Sequence, residues 1–383
     1  MSGPLKLTEL FKGFFYSEKS AGIILVACTL ISLGLTNSKF HDIYTSLWDL
    51  QVANHSVTHW INDGLMTIFF LLIGLELERE IYIGELSDIR SALLPIFAAL
   101  GGILIPAGIH LLLNFGTEYE SGAGIPMATD IAFALGVLSL LGNRVPAALK
   151  VFLTALAVID DLGAIIIIAV FYTGTLQWTN LLIATGIFAF LLILNRLKVH
   201  NLIPYLIAGL AMWYFMLHSG IHATITGVLL AFAIPFGDGS EKSPSYVLQR
   251  ALHYPVAFVI LPVFVLANTS LLISPHWHQS LLSTNSLGIA LGLLLGKPLG
   301  ILSFSYLSIK TKLTSLPDGI NFKHLSGAGY LGGIGFTMSI FITLLAFDNK
   351  SLIDESKIAV MLGSVISGLI GYLILRISLQ KSD

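Results

Sequence analysis

Hydrophobic stretches long enough to cross a bilayer recur along the whole chain, separated by short polar segments. A helix needs about 17–25 mostly apolar residues to span the hydrocarbon core. Twelve stretches approach this length, at about 21–36, 58–78, 93–114, 122–141, 151–173, 180–195, 203–217, 221–236, 254–273, 286–307, 325–347 and 358–375. Because the intervals between them are short, the pattern predicts a single all-α membrane domain over residues 1–383.

Two of the twelve predicted spans are interrupted by residues that weaken a helix. Span four contains GIPMATDIAFALG, with Pro126, Thr129 and Asp130 near its middle, and span eleven contains GAGYLGGIGFTMSIF, with five glycines between Gly327 and Gly335. Irregular backbone is tolerated at membrane depth only where it is buried in protein or lines a cavity; close packing through small residues is the alternative. The two spans are seven apart and run in opposite directions, which is typical of an inverted repeat with a site between its halves.

Composition and charge agree with a multi-pass membrane protein. The chain is 55% hydrophobic and 11% charged, whereas soluble domains average about 25% charged residues. Of the 20 Lys and Arg residues, sixteen lie in cytoplasmic segments if the N-terminus is inside, three lie outside and Lys297 lies within span ten. This bias predicts an even number of spans with both termini in the cytoplasm. No basic stripe indicates nucleic acid, and the single cysteine, Cys28, allows neither an internal disulfide nor a metal cluster.

Four ionisable residues lie near the middle of predicted spans: Asp130 in span four, Asp160 and Asp161 in span five, and Lys297 in span ten. A charged side chain at the bilayer centre costs about 2.5–3.5 kcal/mol on insertion scales. Four at similar depth predict one shared polar site, with a purely stabilising buried network as the alternative. Adjacent helical residues point about 100° apart. One of the paired aspartates can therefore face a cavity while the other faces a neighbouring helix, where Lys297 could meet it.

The residue types in this set favour a site that binds either protons or a cation. Close like charges raise the affinity of the pair for protons or for a cation, and carboxylate oxygens suit hard cations. Thr129, Thr337 and unwound backbone carbonyls could complete the shell of a small desolvated cation. Two other classes stay open. An intramembrane aspartyl protease needs two carboxylates about 3 Å apart, which helix neighbours cannot provide without distortion, although Asp130 could supply one. A channel would not need a buried lysine beside its acids.

Six strings, in this order, carry a resemblance to a known family: WINDGLMTIFFLLIGLELERE, ATDIAFALG, LAVIDDLGAI, SGIHATITGVLLAFAIP, LGKPLG and GGIGFTMSIF. They resemble the NhaA-type sodium/proton antiporters of bacterial inner membranes, and the resemblance covers essentially the whole chain. It implies a homodimeric secondary transporter in the lipid bilayer, not an enzyme, that needs no cofactor. Sodium and lithium would be exported in electrogenic, alternating-access exchange for protons, serving pH and sodium homeostasis.

The resemblance also implies a fold of twelve transmembrane helices. Spans three to five and ten to twelve, about 93–173 and 286–375, would form a core of inverted-topology repeats in which spans four and eleven break and cross. Spans one, two, eight and nine, about 21–78 and 221–273, would form an interface panel. The assignment of spans to a core and a panel comes from the family and not from the hydropathy pattern.

Roles for individual residues follow from the same resemblance. Asp161 would be the more direct ligand of the cation and proton, with Thr129 nearby and Asp160 as the partner of Lys297. Asp130 would compensate the positive ends of the broken helices and Lys297 the negative ends. Thr337 would support the break of span eleven.

A second group of residues matches family positions that respond to pH. The cluster at the cytoplasmic mouth consists of Glu76, Arg79, Glu80 and His253, and a further position is His222. A solvated helix end, or a hydrogen-bonded structural histidine, is the alternative for these residues. Asp63 matches an acidic family position near the outer end of span two, with an N-cap or interface residue as the alternative. Gln249 and Arg250 stand where members with pronounced pH switching carry an acid followed by a histidine. The departure predicts a weaker pH switch.

The outer loop at 37–57 is the place where the family often forms a β-hairpin that pairs two protomers. Here the loop is short and lacks a glycine turn. Because two-residue hairpins favour glycine at their central positions, the sequence argues against a well-formed hairpin in this loop.

Overall fold

The described part of the chain is mostly helical. A computed structural model describes residues 9–273 and 277–379. The first helices are α1 Glu9–Thr36, α2 His41–Asp49, α3 Val57–Tyr82, α4 Ile89–Asn114, α5 Ile131–Ser139 and α6 Ala147–Phe171. The later helices are α7 Trp178–Arg196, α8 Leu202–Leu217, α9 Ile225–Ala233, α10 Pro244–Asn268, α11 Trp277–Ser280, α12 Thr284–Lys310, α13 Phe322–Gly332, α14 Phe336–Ala346 and α15 Lys350–Ser378. The remaining elements are the 3₁₀ segments Glu85–Ser87, Glu120–Met127 and Gly142–Arg144, and strands β1 Gln51–Val52 and β2 His55–Ser56.

Each predicted span contains a helix, but the helices differ in length. Within residues 9–273 and 277–379, eight are long and apolar enough to cross a membrane, or ten if two bent pairs each count as one span. The bent pairs are α1 with α2, at 115°, and α13 with α14, at 46°. The other two predicted spans correspond to α8, with 16 residues, and α9, with 9 residues. By length and composition, the described residues form a multi-pass helical membrane protein with eight to ten candidate spans.

Three helices in the described ranges contain a π-helical turn: Trp60–Leu65 in α3, Val256–Ile260 in α10 and Gly292–Gly296 in α12. Such turns are rare and are frequent at functional sites. The turn in α12 ends directly before Lys297. The one intramembrane lysine predicted to be functional therefore follows a local distortion of its helix.

The chain forms two compact units, of which the first contains the four intramembrane ionisable residues. This unit comprises the described parts of Met1–Ala27, Asp88–Ala164 and Ile273–Asp383. In it, α4 and α12 pack backbone to backbone. A Cβ on Gly101 would lie 2.1 Å from the carbonyl oxygen of Gly300, and one on Gly300 would lie 2.0 Å from that of Gly101. Glycine at both positions permits this approach.

The second unit comprises Cys28–Ser87 and Ile165–Leu272. Its apolar core draws on α3, α7, α8 and α9 and includes Leu75, Tyr205 and Met212. A Cβ on Gly227 of α9 would lie 2.2 Å from the carbonyl oxygen of Thr67 in α3. The short helix α9 is thus held tightly against α3.

The outer loop forms the β-hairpin that the sequence argued against. β1 and β2 are antiparallel, with Val52 opposite His55. The two turn residues, Ala53 and Asn54, have φ values of 49° and 67°. Positive φ at both central positions is the requirement of a type I′ turn. The expectation from the missing glycine was wrong because this left-handed conformation is adopted by Asn and, with some strain, by Ala. The bond from Trp60 Nε1 to the Val52 carbonyl, at 2.9 Å, fastens the hairpin to α3.

Candidate functional site

Span four is broken between the 3₁₀ segment Glu120–Met127 and α5, as its sequence predicts. Residues 128–130 are non-helical, and Ala128 and Asp130 have extended conformations. Asp130 is the N-cap of α5, since its Oδ1 accepts a hydrogen bond from the backbone N–H of Phe133 at 3.1 Å. A carboxylate in this position pairs an orphan N–H and offsets the positive end of the helix.

Span eleven is also broken, at residues 333–335 between α13 and α14, and the two breaks are joined by hydrogen bonds. The backbone N–H of Asp130 donates to the Ile334 carbonyl at 2.6 Å. The backbone N–H of Thr337 donates to Asp130 Oδ2 at 3.0 Å, and the Thr337 hydroxyl donates to the same oxygen. One carboxylate therefore accepts hydrogen bonds at the N-termini of both α5 and α14.

Lys297 forms the buried ion pair that the resemblance implies. Its Nζ lies 2.7 Å from Asp160 Oδ2, and both side chains are fully buried. The same ammonium donates to the carbonyl of Met127, which ends the 3₁₀ segment of span four. A cation there offsets the negative end of that segment. Lys297 thus connects α12, α6 and the break in span four.

The Thr129 hydroxyl lies between this ion pair and the second break. Its Oγ1 is 2.6 Å from Asp160 Oδ2 and 2.8 Å from the carbonyl of Gly332, in the last turn of α13. A hydroxyl has a single proton, so it donates to one of these two oxygens at a time. Thr129 therefore links the carboxylate of α6 to the C-terminal end of the first half of span eleven.

The two adjacent aspartates of α6 are both buried, with 1% of each exposed, and they differ in their surroundings. Asp160 uses Oδ2 for Lys297 and Thr129, while its Oδ1 has no hydrogen-bond partner in the described part of the chain. Asp161 interacts electrostatically with Lys297. Two carboxylates beside one ammonium leave a formal charge of −1. Because burying an uncompensated charge is expensive, this cluster favours the uptake of a proton or of one monovalent cation.

The available ligand atoms are carboxylate, hydroxyl and carbonyl oxygens, which suit hard cations. In the ranges that the structure describes, no three His, Cys, Asp or Glu side chains are grouped to hold a metal ion. The oxygens of Asp160, Asp161 and Thr129, which the sequence proposes as cation ligands, all lie in the first unit.

The cluster expected to sense pH at the cytoplasmic mouth lies in the second unit, on α3 and α10. His253 Nδ1 is 4.0 Å from Glu76 Oε1. The Arg79 guanidinium stacks 4.7 Å from the ring centroid of Tyr246, and Glu80 follows Glu76 by one helical turn on α3. Four residues picked out by the sequence are therefore brought to one region of α3 and α10.

Sequence reasoning missed Glu78, the most buried acid of this segment. It is only 4% exposed, and its Oε2 accepts a hydrogen bond from the Ser245 hydroxyl at 3.0 Å. The string LELERE offered alternating acids, and only the packing of α10 on α3 shows which one is buried. Its contact with Ser245 ties α10 to the acidic end of α3.

His222 and Asp63 form a separate group in the second unit. The His222 ring bonds to the backbone of Tyr172 and interacts electrostatically with Asp63. Asp63 Oδ2 also lies 3.1 Å from His59 Nδ1, whose ring stacks on that of His55 at 4.2 Å between centroids. His222 is thus placed with an acid and not with the cluster of α3 and α10.

Comparison with known proteins identifies the family. The sequence profile described as "Na+/H+ antiporter 1" matches residues 12–375. A protein of Flavobacterium psychrophilum named "Na(+)/H(+) antiporter NhaA" is 62% identical over 378 residues, covering 99% of this chain and 98% of its own. A Flavobacterium johnsoniae protein, "Na(+)/H(+) antiporter NhaA 1", is 64% identical over 372 residues, covering 97% and 98%. A Cytophaga hutchinsonii protein, "Na(+)/H(+) antiporter NhaA", is 57% identical over 377 residues, covering 98% and 97%. The chain belongs to the Na+/H+ antiporter 1 family, which the resemblance of its motifs to NhaA-type antiporters predicts.

Proposed function

We propose that this protein exports sodium, and also lithium, in electrogenic exchange for protons, and so serves pH and sodium homeostasis in a bacterial inner membrane. The observation that carries the proposal is the buried Asp160–Lys297 pair, 2.7 Å apart, next to Asp161 and between two broken spans. The relatives named as sodium/proton antiporters support sodium and protons as the substrates.

The exchange follows from competition for the same oxygens. In the proton-loaded state, Asp161 is protonated and Lys297 holds Asp160. A sodium ion that binds the two carboxylates, with the Thr129 oxygen as a further ligand, displaces the proton of Asp161 and separates Lys297 from Asp160. A lysine that loses its buried partner is no longer stabilised as a cation and gives up a proton as well. More than one proton then moves per cation, so the membrane potential drives the cycle.

The broken spans supply a frame for this site. Each helix end carries roughly half an elementary charge, and little water screens it at membrane depth. Asp130 and Lys297 offset opposite ends, so the site keeps its geometry while Asp161 changes its load. Alternating access would move these half-helices as a unit and expose the aspartates to one side of the membrane at a time.

The architecture that goes with this function has twelve spans, with α8 and α9 completing the set, and both termini in the cytoplasm. The asymmetry of Lys and Arg supports that orientation. The opposite directions of the two broken spans support inverted repeats. The core would consist of spans three to five and ten to twelve. The interface panel would consist of spans one, two, eight and nine, and its exposed apolar faces would contact lipid.

A homodimer paired through the outer hairpin is part of the proposal. The hairpin forms, and its Val52 side chain is exposed, which supports a contact between two copies. Cross-linking of a cysteine variant at Val52, in a background with Cys28 replaced by Ser, should give a covalent dimer in membranes. Failure to cross-link in active protein would contradict this interface.

Control by pH would involve the Glu76, Arg79, Glu80 and His253 cluster together with His222. A histidine changes charge between about pH 5 and 8. The His253–Glu76 approach, at 4.0 Å, supports such a role because a change of charge on one group alters the electrostatic environment of the other. Those residues lie apart from the intramembrane aspartates in sequence and belong to the other compact unit.

The decisive test is transport in proteoliposomes, with sodium, lithium and potassium each applied against an imposed pH gradient. We expect sodium and lithium, but not potassium, to dissipate the gradient in the native protein. Asp161→Asn should abolish cation-coupled proton movement, because an amide cannot act as proton acceptor. Asp348→Asn, at an exposed position, is the matched control and should keep native exchange. Substantial exchange by well-inserted Asp161→Asn protein would overturn the assignment of the site.

A further inference from the structure

Two serines of α15 form hydrogen bonds to the broken span eleven. Ser364 Oγ accepts hydrogen bonds from the backbone N–H groups of Gly335, at 3.2 Å, and Phe336, at 3.1 Å. These donors belong to the first turn of α14, where backbone N–H groups have no partner inside the helix. Ser364 therefore caps α14 from a different helix.

Ser367 lies one helical turn further along α15 and holds the other half of the span. Its hydroxyl donates to the carbonyl of Tyr330 at 2.7 Å, within the last turn of α13, where carbonyl groups lack intrahelical partners. Residues three apart on a helix share a face. One face of α15 thus accepts from the N-terminal end of α14 and donates to the C-terminal end of α13.

The packing around this contact leaves little freedom. Ser364 is 3% exposed and Ser367 is fully buried. A Cβ on Gly333, in the break itself, would lie 2.4 Å from Ser367 Oγ and 2.5 Å from the carbonyl oxygen of Leu293. The absence of a side chain at Gly333 is what lets α15 reach the broken backbone.

We propose that Ser364 and Ser367 are positioning residues for the cation site, acting through the break of span eleven. Through the Ile334 carbonyl and Thr337, that break holds the backbone and the carboxylate of Asp130. The two hydroxyls fix both ends of the break without adding a charge that would compete with the aspartates for sodium or protons. This inference rests on the proposed exchange at Asp160 and Asp161.

The role of Ser364 is tested by the apparent sodium affinity. Ser364→Ala leaves two N–H groups of α14 without their acceptor. The partial positive charge at this helix end, beside Asp130, is then less compensated. We expect the KM for sodium to rise about fivefold to tenfold, with the maximal exchange rate within about twofold of native. Ser364→Thr keeps the hydroxyl and should restore most of the affinity. Ser367→Ala should raise the KM less, because the Tyr330 carbonyl also accepts from the Gly333 N–H at 3.0 Å.

The matched control is Ser356→Ala. Ser356 is a fully buried serine of the same helix whose hydroxyl accepts from Asn285 Nδ2 at 2.8 Å, away from either break. It should lower the thermal stability without changing the KM for sodium. If Ser364→Ala does not insert, Ser364→Cys replaces it, since a thiol is a weaker acceptor of similar size, and the same rise in KM is expected.

The native protein is measured first, so that two failures can be told apart. Absence of sodium-driven exchange in native proteoliposomes would overturn the proposed function itself. Native exchange with an unchanged KM in folded Ser364→Ala or Ser364→Cys would overturn the positioning role alone. An equal rise in KM for Ser356→Ala would also overturn it, because a general loss of packing would then account for the effect.

Discussion

The two broken spans of the first unit are supported in different ways. In span four, charged groups meet both ends: the Asp130 carboxylate caps α5, and the Lys297 ammonium meets the Met127 carbonyl. In span eleven, most of these hydrogen bonds are made by hydroxyls. Ser364 accepts from the start of α14, and Ser367 donates to the end of α13. Asp130 is the only carboxylate among these hydrogen-bond partners and serves the N-termini in both spans.

Under the proposed mechanism, Lys297 would also take part in transport, whereas the hydroxyls of Ser364 and Ser367 would only support the broken backbone. A hydroxyl satisfies an unpaired backbone group without a formal charge, so it is sufficient for a structural end. Lys297 is more than sufficient for that purpose, since it also pairs with Asp160. Substitutions of the charged groups at span four should therefore reduce stability and exchange far more than substitutions of the hydroxyls at span eleven.

The largest expected effect tests the charged side of this comparison. Lys297→Ala leaves Asp160 buried without its cation and leaves the Met127 carbonyl unpaired. We expect the free energy of unfolding to fall by about 3–5 kcal/mol and exchange to be lost or displaced along the pH axis. Lys310→Ala, at an exposed position of the same helix, is the control and should change stability little. The measurement is unfolding in detergent together with exchange against pH; an unchanged stability and pH profile for Lys297→Ala would show that the pair contributes nothing.

A smaller effect is expected at the carboxylate that serves both breaks. Asp130→Asn keeps one oxygen acceptor, so the protein should still transport, with weakened apparent cation affinity and lower stability. Asp130→Ala removes the acceptors of both α5 and α14 and should lower the unfolding free energy by about 2–3 kcal/mol. Sodium-dependent exchange and thermal unfolding measure the two quantities. Complete loss of exchange in stable Asp130→Asn protein would place this residue in the cation or proton relay. Its role would then not differ from that of Asp161.

The Thr129 hydroxyl, shared between the two breaks, gives the next smaller effect. Thr129→Val keeps the shape of the side chain and removes its bonds to Asp160 and Gly332, which should lower the unfolding free energy by about 1–2 kcal/mol. The KM for sodium should rise with it. Thr129→Ser, which keeps the hydroxyl, is the control and should stay near native. Equal behaviour of the two variants in stability and KM would mean that the hydroxyl is not used.

The smallest expected effect concerns pH. The hydrogen bonds that join the two breaks involve no histidine among the described residues, so a steep pH response would have to arise elsewhere, as in the His253–Glu76 group of the second unit. With Gln249 and Arg250 in place of an acid and a histidine, we expect exchange at saturating sodium to decline gradually towards acid pH. The double variant Gln249→Glu, Arg250→His should steepen that decline. A steep acid shut-off in the native protein would contradict the expectation.

Hydropathy and residue type determined much of this protein. Each predicted apolar run contains a helix, whereas the short helices α2 and α11 lie outside these runs. Pro126 and the glycines of span eleven mark both breaks, because backbone preference depends on the local residue type. The isolation of Asp130, Asp160, Asp161 and Lys297 in apolar surroundings also marks the proposed site, since charge buried in a membrane is expensive.

Tertiary structure decided the partners. Asp160, and not its neighbour Asp161, forms the 2.7 Å ion pair with Lys297, which is 137 positions away in the sequence. The packing of α12 against α4 and α6 determines which side of α6 the ammonium reaches. The hairpin at Ala53 and Asn54 forms without glycine, since the flanking strands and the Trp60 bond hold it. Ser364 and Ser367 look like ordinary small residues of an apolar helix until α15 is packed against span eleven. Hydropathy reports the solvent that a residue prefers, whereas hydrogen-bond partners depend on which distant backbone ends the packing brings within about 3 Å.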